Sequence, residues 1–262
     1  MNFGTIDISL TSISSRMSTI CRTLESLLAQ DYGDLRVHLH LSREPYLLDE
    51  GVPDLPQSLI DLKRAAGDRL NIVYCPNIGP YRKLLPYLQR HWGESRLVVT
   101  SDDDTIYPPD WLTGLVQAYA FHRCSVAYRG HRMSYTDAGF TRYRSWMKST
   151  IEENPSQLIL PTGKDGILYD TAFFGIDVLN VAEAVRLAPT ADDLWLRWHL
   201  ARNGVAVYVI RTDYTDSFEE TGYESSLYLN YNRGGNNDRA IADLDAYFRK
   251  QHQFGLIPVV PK

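Results

Sequence analysis

Cysteine is scarce in this chain. Cys21, Cys75 and Cys124 are the whole complement, odd in number and widely spaced. Neither a disulfide framework nor a zinc module is expected from such a set, and reduced thiols in a cytosolic compartment are the simplest reading. Long apolar runs are missing as well. Nothing approaches membrane-spanning length, and "MNFGTIDISL" has no charged segment ahead of an apolar stretch. Neither a spanning helix nor a secretory signal is expected, while peripheral membrane contact stays open. Positive charge falls short of negative, 27 Lys and Arg against 32 Asp and Glu, for a net charge of −5. That balance speaks against a nucleic-acid partner, though not against a local basic patch. Familiar catalytic signatures are absent too. There is no G-x-S-x-G and no H-E-x-x-H. Gly163-Lys164 is followed by Asp165 where a phosphate-binding P-loop needs Ser or Thr. An EF-hand begun at Asp102 would have Tyr107 and Thr113 where Gly and Glu belong. A D-x-D-x-T phosphatase motif there would have Ile106 in place of Thr.

What is present is an ordinary globular composition: 262 residues, 44% apolar and 23% charged, enough for one large domain or two halves sharing a core. Ile6 to Leu10 reads as a strand. Met17, Ile20, Leu24, Leu27 and Leu28 then recur at helical spacing. "LRVHLHL" alternates like a half-buried strand, and Asp61 to Ala66 is a short helix. "LNIVYC" is a further strand, "YRKLLPYLQRHW" a helix with Pro86 near its start, and "RLVVT" the next strand. Strands alternating with helices predict an α/β sheet with parallel pairs, and such sheets bind ligands beyond the carboxyl ends of their strands. The second half is less regular. Asp110 to His122 is a helix. "SVAYRGHRMSY" and "FTRYRSW" resemble a hairpin turning at Asp137–Gly139. "DDLWLRWHLARNG" is a helix stopped at Asn203-Gly204, followed by the strand "VAVYVI". "YNRGGNNDR" reads as a loop, either a lid or a plain surface turn, and a last helix runs from about Ala240 to Lys250. No repeat or linker marks a boundary, so one domain is expected over 1–262.

Two acidic clusters ask for an explanation. Asp102, Asp103 and Asp104 follow the strand "LVVT" directly. In an extended segment Asp102 and Asp104 would point one way and Asp103 the other. Converging carboxylates need a cation or a proton, and clustered oxygens suit Mg²⁺ or Mn²⁺. A solvated acidic turn is the plain alternative. The second cluster is "PTADDLWLRW". Asp192 and Asp193 there are either first-turn acids of a helix capped by Thr190 or a general base beside a cleft.

In combination these stretches resemble the GT-A glycosyltransferases, bacterial family-2-like inverting enzymes in particular. "ISLTSISSRMSTICRTLESLLAQDY" is similar to their first strand and helix. "NIGPYRKLLPYL" is similar to a donor-site segment, "VVTSDDDTIYPPDWL" to the DXD motif, and "PTGKDGILY" with "ADDLWL" to the acceptor turn and base helix. The likeness runs from about Ile6 to Val209. It departs at Tyr81-Arg82, where a smaller pair is usual, and at Asp192-Asp193, where many relatives have Glu-Asp.

The resemblance implies a GT-A-type Rossmann-like mixed sheet flanked by helices. Residues 1–106 would form the nucleotide-sugar-binding half, and 107–262 the acceptor-binding and catalytic half. It implies donor contacts at Thr11, Ser12, Arg16, Lys83, Asp102 and Asp103, and a divalent metal, Mn²⁺ or Mg²⁺, on Asp104 and Asp102. Asp193 would be the base, with Asp192 the other candidate. The implied partners are a nucleotide-sugar donor and a glycan or glycolipid acceptor, and the implied setting is bacterial surface polysaccharide synthesis in the cytoplasm, at the inner face of the membrane. Arg129, Arg132, Arg142, Arg144 and Lys148 form either a solvated hairpin face or a platform for an anionic acceptor. A sugar-phosphate nucleotidyltransferase is the competing enzyme class, but "SISSRMST" lacks the glycine-rich loop such an enzyme wants. A non-catalytic glycan-binding module is the third reading.

Overall fold

The alternating periods of the first hundred residues fold into parallel strands tied by helices. A computed structural model describes residues 3–147, 149–212, 218–220 and 230–258. Strand β1 (Ile6–Thr11) leads to α1 (Ile20–Leu28), β2 (Leu35–Leu41), α2 (Gln57–Ala66), β3 (Leu70–Tyr74), α3 (Leu85–Arg90) and β4 (Leu97–Thr100). Strand β1 runs parallel to both β2 and β4, and β2 parallel to β3. Such inner strands are covered on both faces, so β1 is buried almost throughout. Ile6, Ile8 and Leu10 face the core under α1, α2 and the later α4 (Trp111–His122), whereas Val98 of β4 faces the opposite core. Asp7 is the polar exception in β1. Its carboxylate accepts from His38 Nε2 at 2.7 Å and from the Tyr87 hydroxyl at 2.5 Å. Burial would lift its pKa, but those two bonds and the charges of His38 and Arg96 outweigh it and hold the carboxyl below the usual range.

The second half begins with a short β5 (Thr105–Ile106) before α4, then β6 (Ser125–Ala127), β7 (Gly130–Arg132), β8 (Tyr135–Thr136) and β9 (Gly139–Phe140). Next come α5 (Tyr143–Trp146), β10 (Ile159–Pro161), β11 (Ile167–Asp170), α6 (Val181–Leu187), α7 (Asp192–Arg202) and β12 (Val207–Val209). Strand β13 (Glu219–Glu220) and α8 (Asn236–His252) complete the described chain. The main sheet has seven strands in the order β12-β6-β11-β4-β1-β2-β3. Strand β11 is antiparallel to β4 and β6, which makes the sheet mixed. Helices α3, α7 and α8 pack Leu88, Trp195, Trp198 and Phe248 into the second core.

Several local expectations are corrected. Helix α2 starts at Gln57, not Asp61, directly after Pro56. The helix expected from Tyr81 divides. Gly79–Lys83 is a 3₁₀ turn, and α3 starts at Leu85 with Pro86 in its first turn, where a missing N–H costs nothing. The long hairpin does not form. Only β8 and β9 pair as a hairpin. Strand β6 joins the main sheet, β7 pairs with β10, and Tyr143–Trp146 is helical. Burial decides this: Val126, Ala127 and Trp146 are fully enclosed, which a two-stranded ribbon in solvent cannot achieve. The last helix begins at Asn236, so it takes in half of the expected loop.

Candidate active site

Parallel pairing of β1 with β4 brings their carboxyl ends side by side. Thr11 and Ser12 leave one strand there, and Asp102 to Asp104 follow the other. The Thr11 hydroxyl donates to the His40 carbonyl at 2.9 Å, which ties the first loop to β2. Lys83 arrives from the 3₁₀ turn. The Ser9 hydroxyl fixes its backbone by donating to the Lys83 carbonyl at 2.7 Å. The unusual Tyr81-Arg82 pair braces this turn. The Tyr81 hydroxyl donates to the Ala188 carbonyl at 2.7 Å. Arg82 is buried, pairs with Asp49 at 2.8 Å, and donates to the Ser12 carbonyl at 3.3 Å. The departure from small residues thus locks the loop after β1 to the turn that carries Lys83.

The three aspartates do not alternate as an extended strand would. The chain turns after β4, and the partners are divided differently. Asp103 accepts from Ser12 Oγ at 2.5 Å and pairs with Arg16 Nη1. Asp104 pairs with Arg16 Nη2 at 2.9 Å. Asp102 pairs with Lys83 Nζ. Thus Asp103 and Asp104 share a cation, and Asp102 takes the other. Burial, then repulsion from Asp102 and Asp103, pushes the Asp104 carboxyl up to about 7 against the pull of Arg16. Burial would raise Asp102 too, but the Lys83 charge and hydrogen bond outweigh it and the carboxyl is lowered. Lys83 itself is desolvated, yet Asp102, Asp192 and Asp193 together hold it charged, with its pKa raised.

Across from Lys83 lies the first turn of α7. Ala191, not Thr190, occupies the cap position, and no side chain caps the helix. Thr190 is engaged elsewhere, its Oγ1 donating to Asn232 Oδ1 at 2.5 Å. The capping role considered for Thr190 therefore fails. Asp193 Oδ2 accepts from the Gly163 N–H at 2.9 Å. Burial, then the neighbouring Asp192, lifts Asp193 to about 8, with Lys83 pulling the other way. Asp192 is raised as well, first by burial. A Cβ on Gly163 would stand 3.1 Å from Lys83 Nζ and 3.4 Å from Asp193 Oδ1, close enough that these groups would have to shift by a few tenths of an ångström.

Thr11, Ser12, Arg16, Lys83, the three aspartates, Asp192 and Asp193 all line one cleft of about 480 Å³. The sequence reading missed several of its members: Asp49 and Arg82, Gly163, Asn232 and Asn237. Gly163 lies inside the "PTGKDGILY" stretch, and the asparagines lie in the loop read as either a lid or a plain surface turn, but nothing local marks their partners. Of the basic hairpin residues, Arg129 reaches the cleft. Arg132 turns away to Glu152 at 3.2 Å, Arg142 and Arg144 are exposed, and Lys148 lies outside the described residues.

Residues 15–176 match the family model "Glycosyl transferase family 2". The chain belongs to this family. Membership settles the enzyme class in favour of glycosyl transfer over nucleotidyl transfer or passive glycan binding. No curated protein matches the sequence. Among solved structures, S. aureus TarS 1-349 in complex with UDP is 16% identical, with 94% of this chain and 73% of that chain covered and a TM-score of 0.52. The same fragment in complex with UDP-GlcNAc is 16% identical over 95% of this chain and 74% of that chain, with a TM-score of 0.51. A further S. aureus TarS structure is 14% identical over 94% of this chain but 40% of that chain, with a TM-score of 0.54. At such identities the likeness is one of fold, and it agrees with the GT-A-type mixed sheet of this family 2 glycosyltransferase. The family match ends before Asp192, so the acids of α7 rest on geometry alone.

Proposed function

We propose that this glycosyltransferase moves a sugar from a nucleotide-sugar donor to a hydroxyl of a glycan or glycolipid acceptor, with inversion at the anomeric carbon. The observation carrying this reading is the placement of Asp193. It is oriented by the Gly163 N–H, in the same cleft as Lys83 and the aspartates at the end of β4. In the proposed step the Asp193 carboxylate takes the proton of the acceptor hydroxyl as its oxygen bonds to the anomeric carbon. The bond from that carbon to the diphosphate oxygen breaks, and the electron pair leaves with the nucleoside diphosphate. Lys83 and Arg16 stabilise the charge growing on the leaving group. Thr11, Ser12 and Asp103 hold the nucleoside side of the donor. The complexes of TarS with UDP and UDP-GlcNAc support a uridine diphosphate sugar as that donor.

The aspartates fit a divalent cation. Three carboxylates share two resident cations, and burial together with the excess negative charge lifts Asp104. Among the described residues no three ligating side chains form a ready cage. Two carboxylates plus donor phosphates is the usual arrangement for Mg²⁺. Asp104 and Asp102 would hold Mn²⁺ or Mg²⁺, which supplies Lewis-acid neutralisation of the departing diphosphate. The setting we propose is surface polysaccharide assembly at the inner face of the membrane. No helix among the described residues is long and apolar enough to cross a membrane.

The test is a thermal-shift and transfer screen with UDP-, GDP- and dTDP-sugars, with and without Mn²⁺, followed by NMR of the product's anomeric proton. Metal-dependent stabilisation by a UDP-sugar and an inverted product are expected. A retained configuration would refute the direct displacement.

A further inference from the structure

The cleft contains a buried polar group that the proposed chemistry does not use. Asn237 lines it, is only 5% exposed, and presents a buried Oδ1 with no hydrogen-bond partner among the described residues. Turning the carboxamide over would put an N–H in the same partnerless place. Buried polar groups in folded proteins are paired almost without exception, so an orphan facing a cleft points to a ligand.

The surroundings hold Asn237 in position from two sides. Asn232, in the turn before α8, exchanges two hydrogen bonds with Thr190. Thr190 Oγ1 donates to Asn232 Oδ1 at 2.5 Å, and Asn232 Nδ2 donates to the Thr190 carbonyl at 3.0 Å. That anchors the start of α8 to the segment leading into Asp192. On the other side, Asp238 Oδ1 accepts from the Tyr143 N–H at 2.6 Å. Gly235, at φ +101°, makes the turn into α8, and no side chain caps the helix. Asn237 is therefore fixed in the wall that carries the proposed base.

The same cleft is lined by Tyr143, Met147 and Leu160. Tyr143 packs edge-on to His131 with ring centroids 5.6 Å apart, and lies 5.8 Å from Trp146, so its ring is held in one orientation. A planar carboxamide in the same cleft as these aromatic and aliphatic side chains suits a sugar ring. The apolar wall takes the ring's C–H face, and the amide pairs with hydroxyls at its edge. An anion would be drawn instead to Arg129 and Lys164, also in the cleft, although Arg129 already stands 3.6 Å from the buried Asp165 carboxylate.

We propose that Asn237, with Tyr143, Met147 and Leu160, forms an acceptor subsite that reads the hydroxyls of a neutral sugar ring. This rests on the glycosyl-transfer reading above. Saturation-transfer NMR with the methyl glycosides of glucose, galactose, mannose and N-acetylglucosamine tests it, with UDP affinity measured separately by calorimetry. At least one glycoside should bind the wild type, and Asn237→Ala should weaken it on the order of tenfold. UDP affinity should be unchanged. Asn237→Ala should melt close to wild type, because Oδ1 has no hydrogen-bond partner among the described residues to lose. The proposal is overturned if no glycoside binds wild type, or if Asn237→Ala binds it equally well. It is also overturned if inorganic phosphate displaces the glycoside, which would make the subsite anionic. Glycoside binding without any UDP binding would instead refute the uridine diphosphate donor and leave the subsite standing.

Discussion

Replacing Asp193 by Asn removes a charge from the start of α7 and leaves the shape in place. The Asn oxygen can still accept from the Gly163 N–H, now at 2.9 Å. Its effect on stability has a definite sign. Burial and the nearby Asp192 raise the folded-state pKa to about 8. A carboxyl raised in this way binds its proton more tightly when folded, so its contribution to stability is complete at low pH and is lost as pH rises through 8. Asp193→Asn should melt with wild type near pH ~4 and above it near pH ~9. Its effect on chemistry is opposite. Asn cannot take a proton near neutrality, so turnover should fall on the order of 10²–10⁴-fold, about 3–5 kcal/mol of barrier. Wild-type kcat/KM, with acceptor as the varied substrate, should climb with pH towards a limb near 8, and the variant should lack that limb. Donor affinity should barely move. Sugar transfer under saturating donor, beside melting curves for each variant, measures all of this. Asp192→Asn is the control and should lose much less. Wild-type turnover in Asp193→Asn with a dead Asp192→Asn would transfer the base role to Asp192. Full activity in both would refute base catalysis from α7.

Three further outcomes follow from the same cleft. Asp104→Ala should abolish Mn²⁺-dependent binding of the nucleoside diphosphate in calorimetry, and an unchanged affinity would refute its role as a ligand. Lys83→Ala should weaken binding of UDP more than of uridine, because its charge is held towards the phosphate position by Asp102; equal losses would argue against that contact. Gly163→Ala should leave the fold intact but reduce turnover about tenfold, since the new Cβ crowds Lys83 Nζ at 3.1 Å and displaces groups that must be aligned. Wild-type kinetics in this variant would show that the Lys83–Asp193 spacing is not critical.

Much of the frame was legible in the chain. The helical spacing of Ile20, Leu24 and Leu27 and the apolar runs of β1, β2 and β4 correspond to elements of the structure. The acidic run after β4 lines a cleft, as the strand–helix order implied, and the acids opening α7 line the same cleft. Errors gathered where local pattern gives way to distant partners. Residues 125–132 alternate like one arm of a hairpin, but β6 finds β11 and β12, and β7 finds β10. The aspartates alternate only on paper, because the turn after β4 brings Asp103 and Asp104 to Arg16.

The amino-acid order by itself determined the alternation of strand and helix, and with it an α/β sheet with acids at a strand's carboxyl end. Those properties follow from the period of apolar residues and from the cost of placing like charges together, and both act over a few neighbouring residues. Tertiary structure alone decided which cation meets which aspartate. It decided that Tyr81 and Arg82 brace the Lys83 turn through Ala188 and Asp49. It also left Asn237 Oδ1 without a hydrogen-bond partner among the described residues in the wall of the cleft. Each of these is a contact between segments far apart in the chain, set by how the sheet and helices pack, and no local pattern encodes such a meeting.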